Sequence, residues 1–215
     1  MKDLYIIGSG GFGREVAWLV ERINAKKETW NLVGFIDDNL QLQGKIINSY
    51  PVVGTICDAA HFSDCFYVCA VGAASVREKI IQKLLDVLPN AKFATLIDPT
   101  VEMSSSVEVG EGTIICAHSI LTVNISIGKH VIMNLNCTVG HDAVLRDYVT
   151  LYPSVNLSGG TKVGFASELG TGAQIIQGKT IGDRTIVGAG AVVIKDLPDR
   201  CTAVGSPAKP IKFFD

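Results

Sequence analysis

The stretch IGKHVIMNLNCTVGHDAVLRDYVTL, residues 127–151, places a large aliphatic residue at every sixth position. The same step continues in both directions without an insertion, from Ile97 to Val193. Its 17 positions are all isoleucine, leucine, valine or methionine: Ile97, Met103, Val109, Ile115, Leu121, Ile127, Met133, Val139, Leu145, Leu151, Leu157, Val163, Leu169, Ile175, Ile181, Val187 and Val193. This period of six predicts a parallel β-helix with a triangular cross-section.

A second class of residue, smaller on average, lies four positions after each of these aliphatics, with Lys179 as the exception. We expect the aliphatic residue of each hexad to point inward, the smaller residue to fill the corner, and glycine to ease the tight turn. Three hexads complete one coil, so 17 hexads predict between five and six coils around one continuous core.

The first part of the chain follows a different pattern, in which apolar strands alternate with helical stretches. The predicted strands are Leu4–Ile7, Leu32–Ile36 and Phe66–Val71, and the predicted helices are Arg14–Ile23 and Val76–Leu88. This order is typical of a small parallel sheet covered by helices. We therefore predict two domains: an α/β unit resembling half of a Rossmann fold at 1–96, and a β-helix with a C-terminal tail at 97–215.

A glycine-rich segment, GSGGFGRE, begins at Gly8 and fits the pattern G-x-G-x-x-G through Gly10 and Gly13. A complete dinucleotide-binding fold needs two βαβαβ halves, about 150 residues, and only residues 1–96 precede the repeats. NAD is therefore not expected. The segment can offer backbone N–H groups and a helix N-terminus to the phosphates of one nucleotide. In the alternative reading, the glycines only permit a tight strand–helix turn.

Composition excludes several other classes of function. The net charge is −2 and basic residues form no run, so nucleic acid is not an expected partner. No apolar run approaches the about 18 residues of a membrane span, and the N-terminus carries no signal-peptide segment. The six cysteines form no C-x-x-C pair, which predicts free thiols in a reducing cytoplasm and neither disulfides nor a metal site.

Three segments carry a resemblance to a known family: YIIGSGGFGRE with VGFIDDN, NLNCTVGHDAVLRDYVTLYPSVNLSGG, and IVGAGAVVIKDLPDRCTAVGSPAKPIK. The chain resembles the hexapeptide-repeat acyltransferases, which share the left-handed parallel β-helix. More narrowly, it is similar to sugar acetyltransferases of the sialic acid O-acetyltransferase and UDP-4-amino-sugar N-acetyltransferase type. The resemblance covers nearly the whole chain, and it implies acetyl-CoA as co-substrate and a homotrimer with active sites between neighbouring β-helices.

Acetyl transfer from a thioester needs a base that removes the proton of the attacking amine or hydroxyl, and histidine has a suitable pKa. His61 lies in the α/β unit and is interpreted as structural. The histidines of the β-helix are His118, His130 and His141. They fall in the fourth, sixth and eighth hexads, on three different corners, so one chain cannot gather them around a metal ion. This argues against a zinc site of the carbonic anhydrase kind.

His141 is the candidate base because it stands third in its hexad and should point outward. Asp142 follows it, and the resemblance implies that an acidic residue there raises the basicity of the imidazole. Adjacent side chains at a corner can meet, so Asp142 would fix the tautomer and stabilise the imidazolium. The alternative is an ordinary solvated His-Asp pair.

The remaining site residues come from the resemblance. It implies that the glycine segment contacts the nucleotide sugar through Gly10, Gly11 and Phe12. It also implies that Asp37 and Asp38 lie near the nucleotide base and that Asn134 lies near the acceptor. It implies acetyl-CoA contacts at Thr150, Thr171, Ala189 and Lys209. Some family members carry histidine where Phe12 stands, so the sugar stays open. Asn134 is alternatively a turn-shaping corner residue, and the small residues are alternatively small for packing.

Three functions follow from these observations. The first is N-acetylation of a nucleotide-linked 4-amino-4,6-dideoxy sugar, and the second is O-acetylation of sialic acid or a related sugar. The third is a non-catalytic sensor or scaffold that binds a sugar nucleotide. An amine is the better nucleophile and the glycine segment favours a nucleotide-linked acceptor, so the first is preferred.

Overall fold

A computed structural model describes residues 1–62 and 64–214 and has the predicted fold class, an α/β unit followed by a left-handed parallel β-helix. The α/β unit contains six strands and two helices: β1 Lys2–Ile7, α1 Gly11–Lys26, β2 Trp30–Ile36, β3 Ile46–Ile47, β4 Tyr50–Gly54, β5 Phe66–Cys69, α2 Ala74–Val87 and β6 Lys92–Phe93. Two 3-10 helices, Leu40–Leu42 and Ile56–His61, lie in its loops.

The sheet of the α/β unit has the order β3-β4-β2-β1-β5-β6. Its strands pair in parallel, except for the antiparallel β3–β4 hairpin. All five predicted elements are present, each with ends shifted by a few residues. The hairpin and β6 were not predicted, because β3 and β6 have two residues each and leave no periodic pattern.

The hexads form three flat faces. Face 1 contains β7 Leu96–Ile97, β10 Ile114–Ile115, β13 Ile132–Met133, β16 Thr150–Leu151, β19 Glu168–Leu169, β22 Ile186–Val187, β24 Cys201–Val204 and the antiparallel β25 Lys209–Phe213. Face 2 contains β8 Glu102–Met103, β11 Ile120–Leu121, β14 Thr138–Val139, β17 Asn156–Leu157, β20 Gln174–Ile175 and β23 Val192–Val193. Face 3 contains β9 Glu108–Val109, β12 Ser126–Ile127, β15 Val144–Leu145, β18 Lys162–Val163 and β21 Thr180–Ile181.

The second residue of each hexad strand points inward, as the step of six predicts. From Ile115 to Val193 these residues are buried in one cluster, and the corner residues that follow them, such as Cys137 and Ala143, complete it. Met103 belongs to the first coil, which has a coil on one side only, and it is 43% exposed. Apolar burial along the column is the main stabilising contribution to this fold.

The α/β unit packs on the first five coils of face 1. The outward-facing residues Leu96, Ile114 and Ile132 lie in one hydrophobic cluster with residues of α1 and β1. The corresponding outward positions of the other faces are exposed or half-buried, at 44% exposure for Ile120 and 37% for Val144. The two parts of the chain therefore share a hydrophobic core. The domain boundary at residue 96 stays a prediction.

A buried arginine, Arg77 on α2, joins the two parts. Its side chain is fully buried and donates hydrogen bonds to backbone carbonyls on both sides. From the β-helix the acceptors are His130 O at 2.9 Å, Tyr148 O at 2.7 Å and Val149 O at 3.3 Å, together with the Thr150 hydroxyl at 2.9 Å; from the α/β unit they are Val71 O at 2.6 Å and Gly72 O at 2.9 Å. Burial lowers the pKa of Arg77 to about 10, so the guanidinium is charged at neutral pH.

The buried His130 predicts a loss of stability in mild acid. Burial lowers its pKa from 6.5 to about 4, and its Nδ1 has no hydrogen-bond partner in the described part of the chain. The folded state therefore binds fewer protons than the unfolded state between these pH values. We expect the free energy of unfolding to fall by about 3 kcal/mol as the pH drops from 6.5 to 4. Urea denaturation across this range measures the effect.

His130→Phe keeps an aromatic ring between Phe93 and Tyr148, which contact His130 at ring-centroid distances of 4.6 and 5.2 Å. It is expected to flatten the pH dependence. The exposed His118, replaced by asparagine, serves as the control and should leave the dependence unchanged. An equal slope in wild type and His130→Phe would contradict the prediction.

Candidate active site

His141 and Asp142 form the predicted pair at the corner between faces 2 and 3. His141 points outward, its side chain 66% exposed, and its Nδ1 lies 2.8 Å from Asp142 Oδ2. Hydrogen bonds from His141 and Asn124 lower the pKa of Asp142, so its carboxylate is ionised at neutral pH and accepts the Nδ1 proton. This tautomer leaves the lone pair on Nε2, the atom that a general base uses.

Gly159 provides the seat for the imidazole. It lies one coil beyond His141, and Gly160 N, next to it, donates to His141 O at 2.7 Å. A Cβ on Gly159 would overlap His141 Nε2 and lie 2.5 Å from Cε1. The ring therefore rests against the backbone of the next coil, in space that a side chain would fill.

Gly159→Ala is expected to lower turnover by about tenfold to a hundredfold, because the methyl group displaces the imidazole from its seat. Gly159 does not adopt a positive φ, so alanine fits its backbone and the melting temperature should stay close to that of wild type. The two quantities are measured by steady-state kinetics and thermal denaturation. Gln177→Ala, at the same corner one coil further on, is the control. Wild-type turnover in Gly159→Ala would contradict this role.

The three glycines of the G-x-G-x-x-G segment have different structural reasons. Gly8 has a φ of 95°, and a Cβ on Gly13 would overlap Gly8 O, so the strand–helix turn requires both. Gly10 has a negative φ, and no described heavy atom lies within 4 Å of its Cβ position. The turn does not require glycine there, and a ligand can approach the backbone.

Gly10 is the N-cap of α1, and among the described residues no side chain caps this helix end. Its first turn contains no acidic residue. The free N–H groups and the helix dipole therefore point at an exposed surface formed by Gly10 and Gly11, which suits a phosphate. Phe12 is half-buried and packs against the cluster shared with the β-helix.

The two predicted acids both make contacts within the α/β unit. Asp37 accepts from Ser9 N at 3.0 Å and Ser9 Oγ at 2.6 Å through one oxygen, and from Asn39 N at 3.0 Å through the other. Burial alone would raise the pKa of Asp37, but these hydrogen bonds outweigh burial and lower it. Asp38 accepts from Ile56 N at 3.0 Å and pairs with Lys83 at 2.6 Å. Asp37 thus holds the glycine segment in shape.

Two of the predicted acetyl-CoA residues lie on an open shelf at the corner between faces 1 and 2. Thr171 and Ala189 are exposed, and no described heavy atom lies within 4 Å of the Cβ positions of Gly172 and Gly190. Thr150 does not belong to this shelf. It is buried beneath the α/β unit and its hydroxyl donates to Gly72 O at 2.7 Å.

Lys209 is exposed and lines a cavity of about 220 Å³ with Lys195, Asp196 and Pro207. Lys209 is the register partner of Val204 at the end of β24, so its backbone lies at the shelf corner, whereas Lys195 stands three coils beyond His141 at the other edge of face 2. Asn134 lies on the opposite side, with the shelf, and its side-chain oxygen accepts from Leu135 N at 2.8 Å. This bond shapes the corner, as the alternative interpretation of Asn134 expects.

The candidate residues thus form two sets on the two edges of face 2. One set contains His141 and Asp142. The other contains Asn134, Thr171, Ala189 and the glycine segment, since α1 packs against Ala117 and Leu135 at that corner. One chain does not bring the sets together.

The three β-helix histidines lie on three different corners, as predicted. His118 follows β10, His130 follows β12 and His141 follows β14. The described residues gather no group of three or more His, Cys, Asp and Glu side chains in a metal-binding arrangement. Within the same residues, neither helix has the length and apolar character of a membrane span.

The sequence analysis did not single out Ser9, which bonds to Asp37, or Gly159, against which the imidazole rests. The sequence contains a signal for Gly159, because this glycine lies one coil after His141, within the segment NLSGG. Ser9 stands inside the glycine segment, but its contact with Asp37 spans 28 residues. Such a pairing has no local pattern.

The profile of the PglD N-terminal domain family matches residues 3–84. The acetyltransferase domain of PglB from Neisseria gonorrhoeae FA1090, solved in complex with acetyl coenzyme A, is 34% identical to this chain. The alignment covers 98% of this chain and 99% of that one, with a TM-score of 0.89.

Two further proteins are similar. Perosamine N-acetyltransferase from Caulobacter crescentus, solved as a histidine-to-asparagine variant in complex with CoA and GDP-perosamine, is 32% identical, with 99% and 98% of the two chains covered and a TM-score of 0.87. UDP-N-acetylbacillosamine N-acetyltransferase from Bacillus subtilis is 38% identical over 119 residues, 54% of this chain and 52% of that protein. The chain spans about half the length of the first curated relatives it matches.

Proposed function

The chain belongs to the hexapeptide-repeat sugar N-acetyltransferases, and from this premise we propose that it transfers the acetyl group of acetyl-CoA to the amino group of a nucleotide-linked amino sugar. A 4-amino-4,6-dideoxy sugar is the preferred acceptor. The nucleotide-sugar complex of the Caulobacter enzyme and the acetyl-CoA complex of the Neisseria domain support this substrate pair.

The His141–Asp142 pair is the single observation that carries the chemistry. The neutral acceptor amine attacks the thioester carbonyl, and Nε2 of His141 takes the proton that the nitrogen loses. The carbonyl carbon passes through a tetrahedral intermediate and the C–S bond breaks. CoA leaves as the thiolate and receives the proton back from the imidazolium, which Asp142 stabilises through Nδ1. The products are the acetamido sugar nucleotide and free CoA.

We assign the acceptor phosphates to the free N-terminus of α1, where the backbone at Gly10 and Gly11 is open. Asp37 supports this assignment because it holds Ser9 in place. We assign Asp38, the next residue, to the neighbourhood of the nucleotide base. The shelf at Thr171 and Ala189 gives the pantetheine arm room to lie along the coils. Thr150 has no place in this assignment, because its hydroxyl is already bonded to Gly72.

The complete site, in this proposal, forms between two chains of a homotrimer. His141 of one chain faces the shelf, Asn134 and the glycine segment of its neighbour, because these sets lie on opposite edges of face 2. A threefold arrangement that turns face 2 inward gives three such sites.

Mixing two inactive variants tests this arrangement. Gly10→Glu places a negative charge against the phosphates, and His141→Asn removes the base. Chains refolded or co-expressed together should recover part of the activity, because some sites then combine an intact base with an intact loop. Recovery no greater than that of either variant alone would contradict a shared site.

The function itself is tested by thiol release from acetyl-CoA with UDP-, GDP- and dTDP-linked 4-amino sugars and with free sialic acid. Turnover on a nucleotide-linked amino sugar is the expected result. Turnover confined to sialic acid would replace the proposal by O-acetylation. Binding of a nucleotide sugar without turnover would favour the sensor.

A further inference from the structure

We infer that Glu168 is a positioning residue for the acceptor: from face 1 of the β-helix it fixes residues 71–73 of the α/β unit beside the glycine segment. We call residues 71–73, between β5 and α2, the β5 loop. The inference rests on the proposed function, because it concerns the substrate that the glycine segment would hold.

The β5 loop forms a second wall next to the glycine segment. Strands β1 and β5 are parallel neighbours, so the loops at their carboxyl ends meet at one edge of the sheet. A Cβ on Gly8 would lie 3.1 Å from Val71 Cγ2. Ligands of open α/β sheets bind at this edge, so a nucleotide sugar on the glycine segment lies against the β5 loop.

Glu168 reaches this loop from the β-helix. Its Oε1 accepts from Ala74 N at 2.8 Å, across 94 residues of sequence, and its Oε2 accepts from the Tyr152 hydroxyl at 3.0 Å. Ala74 opens α2, so the carboxylate occupies the positive end of that helix. Burial, with Glu168 beside it, raises the pKa of Tyr152 to about 12, which keeps the tyrosine a donor.

Two further side chains, Thr150 and Arg77, donate hydrogen bonds to the rest of the β5 loop. Thr150 is the register partner of Glu168 on face 1, and its hydroxyl donates to Gly72 O at 2.7 Å. Arg77 donates to Val71 O at 2.6 Å and to Gly72 O at 2.9 Å. Thr150 and Glu168 of the β-helix, the part of the chain that carries His141, therefore fix the β5 loop together with Arg77 of α2, which is itself bonded to the β-helix.

The two helix N-termini of the α/β unit consequently differ. That of α2 is filled by the Glu168 carboxylate, whereas that of α1 has no side-chain cap among the described residues. Glu168 thus occupies the N-terminus of α2 and neutralises its partial positive charge, which leaves the N-terminus of α1 as the place for a phosphate. It also holds the loop at a fixed distance from the transfer site.

Of the three side chains Glu168, Thr150 and Arg77, Glu168 is the one whose replacement we expect to leave the fold intact. It is half-buried, and Arg77 and Thr150 continue to join the two parts after its loss. Glu168→Ala is expected to raise the KM for the nucleotide sugar by about tenfold and to leave the KM for acetyl-CoA within about twofold. Glu168→Gln should restore the wild-type value, since its oxygen accepts from Ala74 N and its amide donates to Tyr152.

Glu108→Ala is the matched control. Glu108 is likewise a glutamate at the first position of its strand, β9 on face 3, but it is exposed. It should behave as wild type. A lower melting temperature of Glu168→Ala with unchanged KM values would overturn the inference, and so would an equal rise in both KM values.

Binding of UDP and GDP, measured by calorimetry, separates this inference from the proposed function. If wild type turns over no nucleotide amino sugar, the proposed function fails, and the Kd values decide the inference alone. Weaker nucleotide binding by Glu168→Ala, restored in Glu168→Gln, supports it. Equal Kd values in wild type and Glu168→Ala overturn it, whatever the turnover.

Discussion

His141→Asn is expected to lower kcat for acetyl transfer by about 10²–10⁴-fold, the range associated with loss of a general base. The melting temperature should not change, because the His141 side chain points into solvent and asparagine has the shape to keep the corner. The KM for acetyl-CoA should stay close to that of wild type, since the base acts on the proton of the acceptor. Steady-state kinetics by thiol release measures kcat and KM, and thermal denaturation measures the melting temperature.

Two further variants make the His141 result specific. Asp142→Asn removes the charge that orients and stabilises the imidazolium, and about a tenfold to hundredfold loss is expected. His118→Asn replaces another exposed corner histidine and should retain wild-type kcat. A His141→Asn enzyme with kcat within a few-fold of wild type would exclude His141 as the base.

Arg77→Met is expected to destabilise the folded chain by about 3–5 kcal/mol. Methionine fills a similar length but donates no hydrogen bond. His130 O, Tyr148 O and Val71 O then lose the one partner each has among the described residues. Buried carbonyls without partners cost more than the same groups in water, so the cost falls on the contact between the α/β unit and face 1. Urea denaturation measures it.

Lys79→Met is the matched control, since Lys79 is an exposed residue two positions along the same helix. Its effect should stay within about 0.5 kcal/mol. Arg77→Lys keeps the charge and part of the hydrogen bonding, and an intermediate loss is expected. Equal stability of Arg77→Met and Lys79→Met would show that the buried guanidinium does not hold the two parts together.

The β-helix was predictable because its signal is local and repeated. Each hexad needs an aliphatic side chain inside the coil and a small residue at the corner. Because this pattern repeats from Ile97 to Val193, it determines the register of every coil. The outward direction of His141 follows from that register, and the contact with Asp142 was expected from their adjacency and from the family resemblance. The two-residue strands β3 and β6 of the α/β unit carry no such repetition, and they were missed.

The docking of the α/β unit on face 1 was not predicted, although the sequence contains a trace of it. The residue before the inward aliphatic faces outward and is often polar, as at Glu102 and Glu108, yet it is apolar at Leu96, Ile114 and Ile132. These three positions recur once per coil, on one face. An outward apolar residue repeated in this way indicates a covered surface.

The site was predictable where a motif is contiguous, and not where it depends on contacts across the fold. Gly10 and the His141–Asp142 pair lie within short segments. The burial of Thr150, by contrast, and the bond from Glu168 to Ala74 arise only when the two parts of the chain pack together. Thr150 was assigned to acetyl-CoA by the family resemblance, and nothing in the local sequence shows that the α/β unit covers it.

The chemical bond in the product tests the central claim most directly. The nucleotide sugar recovered after reaction with isotope-labelled acetyl-CoA should be heavier by one acetyl group, and NMR should show an amide that survives treatment with hydroxylamine. This result would establish acetyl transfer to an amine. An acetyl group released by hydroxylamine, and therefore held as an ester, would contradict the account, as would labelled acetate with no acetylated sugar nucleotide.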